Sequence, residues 1–165
     1  MPAKTTATAV TGVPMFDNAV ACMPALLQEL LAAPKHRVSE HPAVPNTPGI
    51  YLFSNRRKPV YVGQTRKLRT RLRQHTGATN RHNQASFAFN LAKRNAKRAG
   101  VDVAMGREPL EAHPEFVPFF DQARADVAGM GVQFIELADP IERTLFEVYA
   151  ALALNTVEFN SFETH

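Results

Sequence analysis

The sequence of 165 residues predicts an α/β (α+β) fold: a small, mostly antiparallel sheet of three strands, or four, flanked by helices. Two strand patterns, residues 49–53 and 60–62, are separated by a polar turn and predict a hairpin. A third segment with alternating polarity, residues 131–137, is expected to join this hairpin. Helical periodicity occurs before, between and after the three strand patterns, so helices should cover the sheet.

Residues 1–48 are expected to be an N-terminal addition, followed by the main domain over residues 49–165. The addition divides into a loose arm, a helix over 16–33 and an extended, proline-rich linker. Pro24 must either kink this helix or mark its true first turn.

A basic helix, predicted over residues 66–75, follows the hairpin. At about 100° per residue, one face of this helix carries Leu68, Arg71, Leu72 and His75. An arginine on the leucine face should lie at the edge of the core, beside a hairpin tyrosine. A guanidinium matches phosphate oxygens through its planar fork, and a phenol or imidazole can relay a proton from water. This combination therefore predicts a site for a phosphate diester.

A second basic helix is predicted over residues 84–98. Its outward lysines and arginines either contact a DNA backbone or only keep the helix soluble. An acidic insertion at about residues 101–130 should contain a short strand over 101–105 and a helix from about Pro114, broken or bent near Pro118. The insertion either sets substrate choice or is scaffold.

The last helix is predicted over residues 141–154, with Asp139 as its N-cap and Pro140 at its first position. Its apolar circumference predicts a buried helix. Glu147 is the single charge between residues 144 and 157. A buried carboxylate is costly unless a cation or hydrogen-bond donors meet it. Glu142, in the first turn, is the competing carboxylate.

Charge is distributed unevenly along the chain. Between Glu40 and Asp102 there are thirteen Lys or Arg residues and no acid, whereas residues 102–165 carry twelve acids and three basic residues. A cationic block of this kind is typical of a surface that follows phosphates. The alternative is that the two segments pair with each other. Nucleic acid is the better partner, since long-range surface ion pairs contribute little.

The same composition excludes several classes of protein. The single cysteine, Cys22, excludes an internal disulfide framework and a cysteine-based zinc site. No apolar run approaches the length of a membrane span, so no membrane association is expected. With no signal-peptide pattern, we expect a cytoplasmic protein.

Residues 49–75 resemble the core of a GIY-YIG nuclease domain. Gly49-Ile50-Tyr51 and Tyr61-Val62-Gly63 match the two halves of the family's name, at the usual separation. Arg71 and His75 follow at the family's spacing for its catalytic arginine and, in many members, a histidine.

The resemblance implies particular roles for residues of this chain. Those implied to be catalytic are Tyr51, Tyr61, Arg71, His75 and Glu147. Glu147 is also implied to bind one metal ion, Mg²⁺ (or Mn²⁺). Either tyrosine or the histidine could act as the general base, and the sequence leaves this choice open. Substrate-binding roles are expected for Gly63, Arg66, Lys67 and Asn160, with Asn155 as the alternative to Asn160. For Gly63 the alternative is tight main-chain packing.

The expected function is metal-dependent endonucleolytic hydrolysis of DNA through contacts to its phosphate backbone. The alternatives are a catalytically inactive nucleic-acid-binding module with the same fold and a domain that binds an acidic protein. Because one site cuts one strand at a time, a homodimer is one option for the oligomeric state, which the sequence leaves open.

Overall fold

A computed structural model describes residues 11–160, so most of the expected N-terminal arm and the last five residues lie outside it. Four strands form one antiparallel sheet in the order β1-β4-β2-β3. Their bounds are β1 His36–Arg37, β2 Gly49–Asn55, β3 Lys58–Thr65 and β4 Gly131–Glu136. The predicted fold class is confirmed, with four strands.

Seven α-helices and one 3₁₀ helix surround the sheet in the described part of the chain. The 3₁₀ helix is Val38–Ala43. The α-helices are α1 Pro14–Ala21, α2 Met23–Ala32, α3 Leu68–Thr76, α4 Ser86–Arg98, α5 Arg107–Glu111, α6 Val117–Gly129 and α7 Pro140–Ala153.

The sheet is covered on both faces because its strand residues alternate between two cores. Tyr51 and Phe53 face α3, α4 and α6 in one core. Ile50 and Leu52 face α2 and α7 in the other. The site described below lies in the first core and at the end of β3.

The N-terminal region differs from its expected form. The single predicted helix is two helices, and Pro24 lies in the first turn of α2, the second of the alternatives considered above. The predicted extended linker contains the 3₁₀ helix and β1, which pairs Arg37 with Gly131. This pairing was not predicted because a strand of two residues has no measurable periodicity.

Two expectations for the insertion are also wrong. No strand forms over residues 101–105, because the Asp102 side chain accepts a hydrogen bond of 2.9 Å from the Ala104 N–H and turns the backbone. Pro118 does not bend a helix but lies in the first turn of α6, where a missing N–H has no cost.

The hairpin turn has an unusual backbone. Asn55 pairs with Lys58, which leaves a loop of two residues, Arg56 and Arg57. Their φ angles are 46° and 71°, in the left-handed region that the tightest hairpin turns require. Asn-Gly is the preferred pair here, and each side chain with a Cβ costs about 1–2 kcal/mol in this conformation.

Helix α7 begins as predicted, since the Asp139 side chain accepts hydrogen bonds from the N–H groups of Ile141 (2.9 Å) and Glu142 (2.8 Å). The expectation that α7 is buried on all sides is wrong, because Ile141 is 64% and Leu152 66% exposed. The sheet and α2 cover only one side of α7. Within residues 11–160, no helix is both long and apolar enough to span a membrane.

Candidate active site

Tyr51 lies at the centre of the candidate site, fully buried in β2. In the hairpin register it is opposite Gly63, and its ring covers that glycine. A Cβ at position 63 would lie 2.4 Å from both Cζ and Oη of the tyrosine. Gly63 is therefore needed for packing, which is one of the two roles expected for it. Its expected contact with a substrate phosphate stays a prediction.

Helix α3 brings Arg71 and His75 to the Tyr51 hydroxyl from successive turns of one face. Tyr51 Oη and His75 Nε2 form a hydrogen bond of 2.8 Å. Arg71 Nε donates to the same oxygen at 3.4 Å. His75 is fully buried, and its Nδ1 has no hydrogen-bond partner in the described part of the chain. The phenol is thus placed between a cation and an imidazole.

Besides a hydrogen bond of 3.3 Å to the Gln74 side chain in its own helix, two contacts hold the Arg71 guanidinium in place. Its Nη1 donates to the main-chain oxygen of Gln84 at 3.0 Å, and its Nη2 donates to the Ser86 hydroxyl at 3.0 Å. Both acceptors lie at the start of α4. Neither contact was predicted from the sequence. A serine at the start of a helix more often caps the helix than binds an arginine of another helix.

Tyr61 lies beside Tyr51 on β3, with ring centroids 6.1 Å apart. It stacks on Phe87 of α4 at a centroid distance of 4.6 Å. Burial raises the pKa of Tyr61 well above its usual value, and the neighbouring Tyr51 raises this pKa further, whereas the Arg71 charge lowers it. Tyr61 is therefore a neutral phenol at ordinary pH.

The other two groups of the cluster are also neutral. Burial raises the pKa of Tyr51, although the Arg71 charge opposes this shift. Burial and the Arg71 charge both hold the pKa of His75 well below its usual value. At neutral pH, His75 is thus an uncharged imidazole that is able to accept a proton.

Glu147 lies on α7, across the end of β3 from this cluster. Its Oε2 accepts a hydrogen bond of 2.9 Å from the Gln64 amide, which also donates to the Thr144 hydroxyl at 3.3 Å. Burial raises the pKa of Glu147, whereas the Gln64 hydrogen bonds and the Arg71 charge lower it. The competing Glu142 instead accepts a hydrogen bond from the Cys22 thiol, on the side of the N-terminal helices.

The oxygen atoms near Glu147 that could meet a hard cation are those of its own carboxylate and the Thr144 hydroxyl. The Gln64 amide presents its N–H group to both and so orients them. Within residues 11–160 there is no group of three His, Cys, Asp or Glu residues that could form a complete metal cage. Mg²⁺ is commonly held by one or two carboxylates, with water and substrate phosphate as its other ligands. The arrangement therefore suits an ion that arrives with its substrate.

A cleft of about 380 Å³ opens where Arg71 reaches the surface. Arg66 and Lys67 are exposed at its rim, where the sequence analysis expected substrate contacts. Its other lining residues are Thr65, Thr70 and Gln74.

Asn160 is not placed to bind a substrate. Its side chain is buried, donating to the main-chain oxygen of Val62 and accepting from the Val62 N–H at 3.4 Å. The carbonyl oxygen and the NH₂ group of the Asn160 side chain thus both bind the outer edge of β3 and hold the C-terminal segment there. Asn155, the alternative, is exposed just after α7 with φ 54°, a conformation in which asparagine commonly ends helices.

Gln64 is a site residue that the sequence analysis missed. It follows Val62 by two positions on β3, and both therefore face α7. That alternation was a usable signal, since a polar side chain on an inward face needs a partner. Its partner, Glu147, is 83 residues away along the chain.

The antiparallel sheet, the hairpin followed by α3, and the Tyr51 cluster are similar to a GIY-YIG catalytic domain. The family model of the GIY-YIG catalytic domain matches residues 47–106, which confirms the resemblance found in the sequence. The matched segment contains β2, β3, α3 and α4, whereas Glu147 lies outside it. At the level of the family, this match implies nuclease activity. No curated protein and no solved structure matches the chain.

Proposed function

We propose that the protein is a metal-dependent endonuclease that hydrolyses phosphodiester bonds in DNA. The observation that carries this proposal is the meeting of a neutral imidazole and a guanidinium at the Tyr51 hydroxyl, at 2.8 and 3.4 Å. Hydrolysis of a phosphate diester requires both a proton acceptor for water and positive charge at the phosphoryl oxygens.

Tyr51 is the best-supported acceptor of the water proton. Because Arg71 donates to the phenol oxygen, the hydroxyl proton is directed to His75 Nε2, provided that the imidazole carries its own proton on Nδ1. The phenol can then take a proton from the attacking water while it passes its own to His75. Burial disfavours the resulting imidazolium, so the proton remains there only briefly. Tyr51 and His75 are equally buried, so the choice of Tyr51 rests on its two hydrogen bonds.

Arg71 is proposed to stabilise the charge that develops on the phosphoryl oxygens. Its guanidinium is held by Gln84 and Ser86 while it lines the surface cleft. A donor that is already positioned needs no reorganisation during the reaction, which is the main source of electrostatic catalysis.

Glu147 is proposed to hold one Mg²⁺ or Mn²⁺, with Gln64 orienting its carboxylate. When bound, such an ion would neutralise phosphate charge as a Lewis acid.

DNA is the proposed substrate because most of the cationic block is unpaired. Of the thirteen basic residues between Glu40 and Asp102, only Arg81 and Arg94 form ion pairs with acids in the described part of the chain. Pairing between the basic and acidic segments therefore explains only a small share of the charge. Arg66 and Lys67 at the cleft are proposed to bind the phosphates next to the scissile one.

The test is a plasmid-nicking assay in Mg²⁺ that compares the wild type with Arg71→Ala and Glu147→Gln. Each variant is expected to lower the cleavage rate by about 10²–10³-fold, the usual effect of removing one electrostatic contact from a transition state. Arg73→Ala is the matched control, since Arg73 is an exposed arginine of the same helix. Equal cleavage by all four proteins would contradict the proposal. DNA binding by the wild type without any cleavage would favour the inactive binding module.

A further inference from the structure

A second group of cations lies at the opposite end of the sheet from Tyr51. Arg37 of β1 is paired with Gly131 of β4, which is next to Ser54 of β2. The ends of these neighbouring strands therefore lie side by side. They bring together five basic residues that we call the distal cationic surface: Lys35, Arg37, Arg56, Arg57 and Lys58.

The distal cationic surface has no ion pairs in the described part of the chain. All five side chains are exposed, and none pairs with an acid among residues 11–160. Two acids, Glu40 and Asp126, also line this surface, and both accept hydrogen bonds from other groups. Glu40 accepts a hydrogen bond from the Arg37 main-chain N–H at 2.8 Å, and Asp126 accepts one from the Gln122 amide at 2.8 Å.

The surface is concave rather than flat. Two adjoining depressions of about 520 and 420 Å³ share the lining residues Ser54, Arg56, Gly129 and Gly131. The two glycines leave the main chain accessible between the depressions. An extended anionic chain could therefore lie in them with the Arg56 side chain at its centre.

The turn that presents Arg56 and Arg57 is unfavourable for the backbone alone. Both residues adopt positive φ angles, 46° and 71°, which Asn-Gly adopts at a lower steric cost. Local strain of this kind is typical of positions where the side chains have a function. Two arginines in place of Asn-Gly therefore indicate that the charge matters more than the turn.

We infer that the distal cationic surface is a second binding site for the phosphate backbone of DNA, separate from the cleft at Arg71. The identity of the ligand rests on the proposed nuclease function. Five residues of strand separate Tyr51 from Arg56, which corresponds to about 17 Å at 3.3 Å per residue. This equals about five base pairs at 3.4 Å each. The surface thus binds DNA about half a helical turn from the scissile phosphate.

The test measures binding of a 30-base-pair duplex by the protein carrying Glu147→Gln, so that cleavage is slow during the measurement. Adding Arg56→Asn together with Arg57→Gly removes both charges and supplies the pair that the turn prefers. The dissociation constant is expected to rise about tenfold, and the slope of log affinity against log salt to fall by about 1.8, corresponding to two lost phosphate contacts. Melting temperature should not fall. The control, Arg56→Lys with Arg57→Lys, keeps the charges and should bind nearly as well as the parent.

An unchanged dissociation constant and salt slope in the Asn-Gly variant would overturn the inference. With Glu147 intact and DNA at saturation, the single-turnover cleavage rate should be the same for the Arg-Arg turn and the Asn-Gly turn. Failure of the nuclease proposal would give a different result. The protein would bind DNA, and the Asn-Gly variant would show the expected loss of affinity, but neither protein would cleave the DNA. The two failures are therefore distinguishable.

Discussion

The contact between Gly63 and Tyr51 shows how a single missing Cβ positions the proposed acceptor. The Tyr51 ring occupies the space above Gly63, so any side chain at that position must displace the phenol from His75 and Arg71. From the sequence, this glycine was expected either to allow tight packing or to let a phosphate approach. The motif shows which residue is required but not which atom excludes a side chain.

Gly63→Ala should destabilise the protein by about 1–3 kcal/mol, the usual cost of overpacking a rigid core. The cleavage rate should fall by more than the loss of folded protein explains, because the Tyr51 ring is displaced. Thermal melting and single-turnover cleavage at a temperature where the variant is folded would measure both effects. Normal cleavage by a folded Gly63→Ala protein would contradict this role for Tyr51.

His75 should make the stability of the protein sensitive to acid. Burial and Arg71 hold its pKa in the folded protein well below that of an unfolded histidine, about 6.5. Between these two values the unfolded chain binds more protons, so stability falls as pH drops below about 6.5. His75→Gln, which has no proton to gain, should show a weaker loss between pH 7 and 5 in thermal melts. Equal pH dependence in both proteins would show that His75 is not buried as a neutral imidazole.

At the scale of elements, the C-terminal segment completes the outer edge of the sheet. Strand β3 is the last in the order, and the Asn160 side chain occupies the main-chain groups of Val62 that another strand would otherwise bind. These hydrogen bonds fix β3 at Val62, and Tyr61 and Gln64 lie on either side of this residue in the same strand.

Asn160→Ala should lower the free energy of unfolding by about 1–3 kcal/mol, because two main-chain groups lose their buried partner. Cleavage should fall less than tenfold under conditions where the variant is folded. Denaturant unfolding and plasmid nicking would test this pair of effects. Asn155→Gly is the control, because the position is exposed and glycine also adopts its positive φ. A large loss of cleavage without loss of stability would restore Asn160 to the substrate-binding set.

At the scale of the whole molecule, the cationic block dominates the proposed encounter with DNA. If four phosphates are contacted, raising salt from about 50 to 200 mM should weaken binding roughly a hundredfold. Cleavage at saturating DNA should change little, because the buried Tyr51 cluster is screened far less than the surface. Binding that does not respond to salt would contradict a phosphate-based interface.

Local features of the chain were predictable because their signals lie close together in the sequence. The hairpin, α3 and α4 occur within residues 49–98, and Arg71 was placed near a tyrosine by the helical repeat alone. Asp139 and Pro140 likewise marked the start of α7, since caps depend on the nearest few residues.

Long-range features were not predictable, because no local pattern specifies them. The hydrogen bond from Gln64 to Glu147 joins residues 83 apart, and the contact of Asn160 with Val62 joins residues 98 apart. The pairing of β1 with β4 and the exposed side of α7 also depend on which elements meet after the chain folds.

By itself, the sequence determined the strand-turn-strand-helix core and the tyrosines, arginine and histidine that it carries. Their mutual positions follow from fixed repeats of strand and helix geometry. Only the tertiary structure decided that Gly63 packs under Tyr51, that Asn160 closes the sheet edge, and that the distal cationic surface forms. Each of these depends on atoms brought together across the sheet, and the energy of such contacts is set by distance in space rather than by separation along the chain.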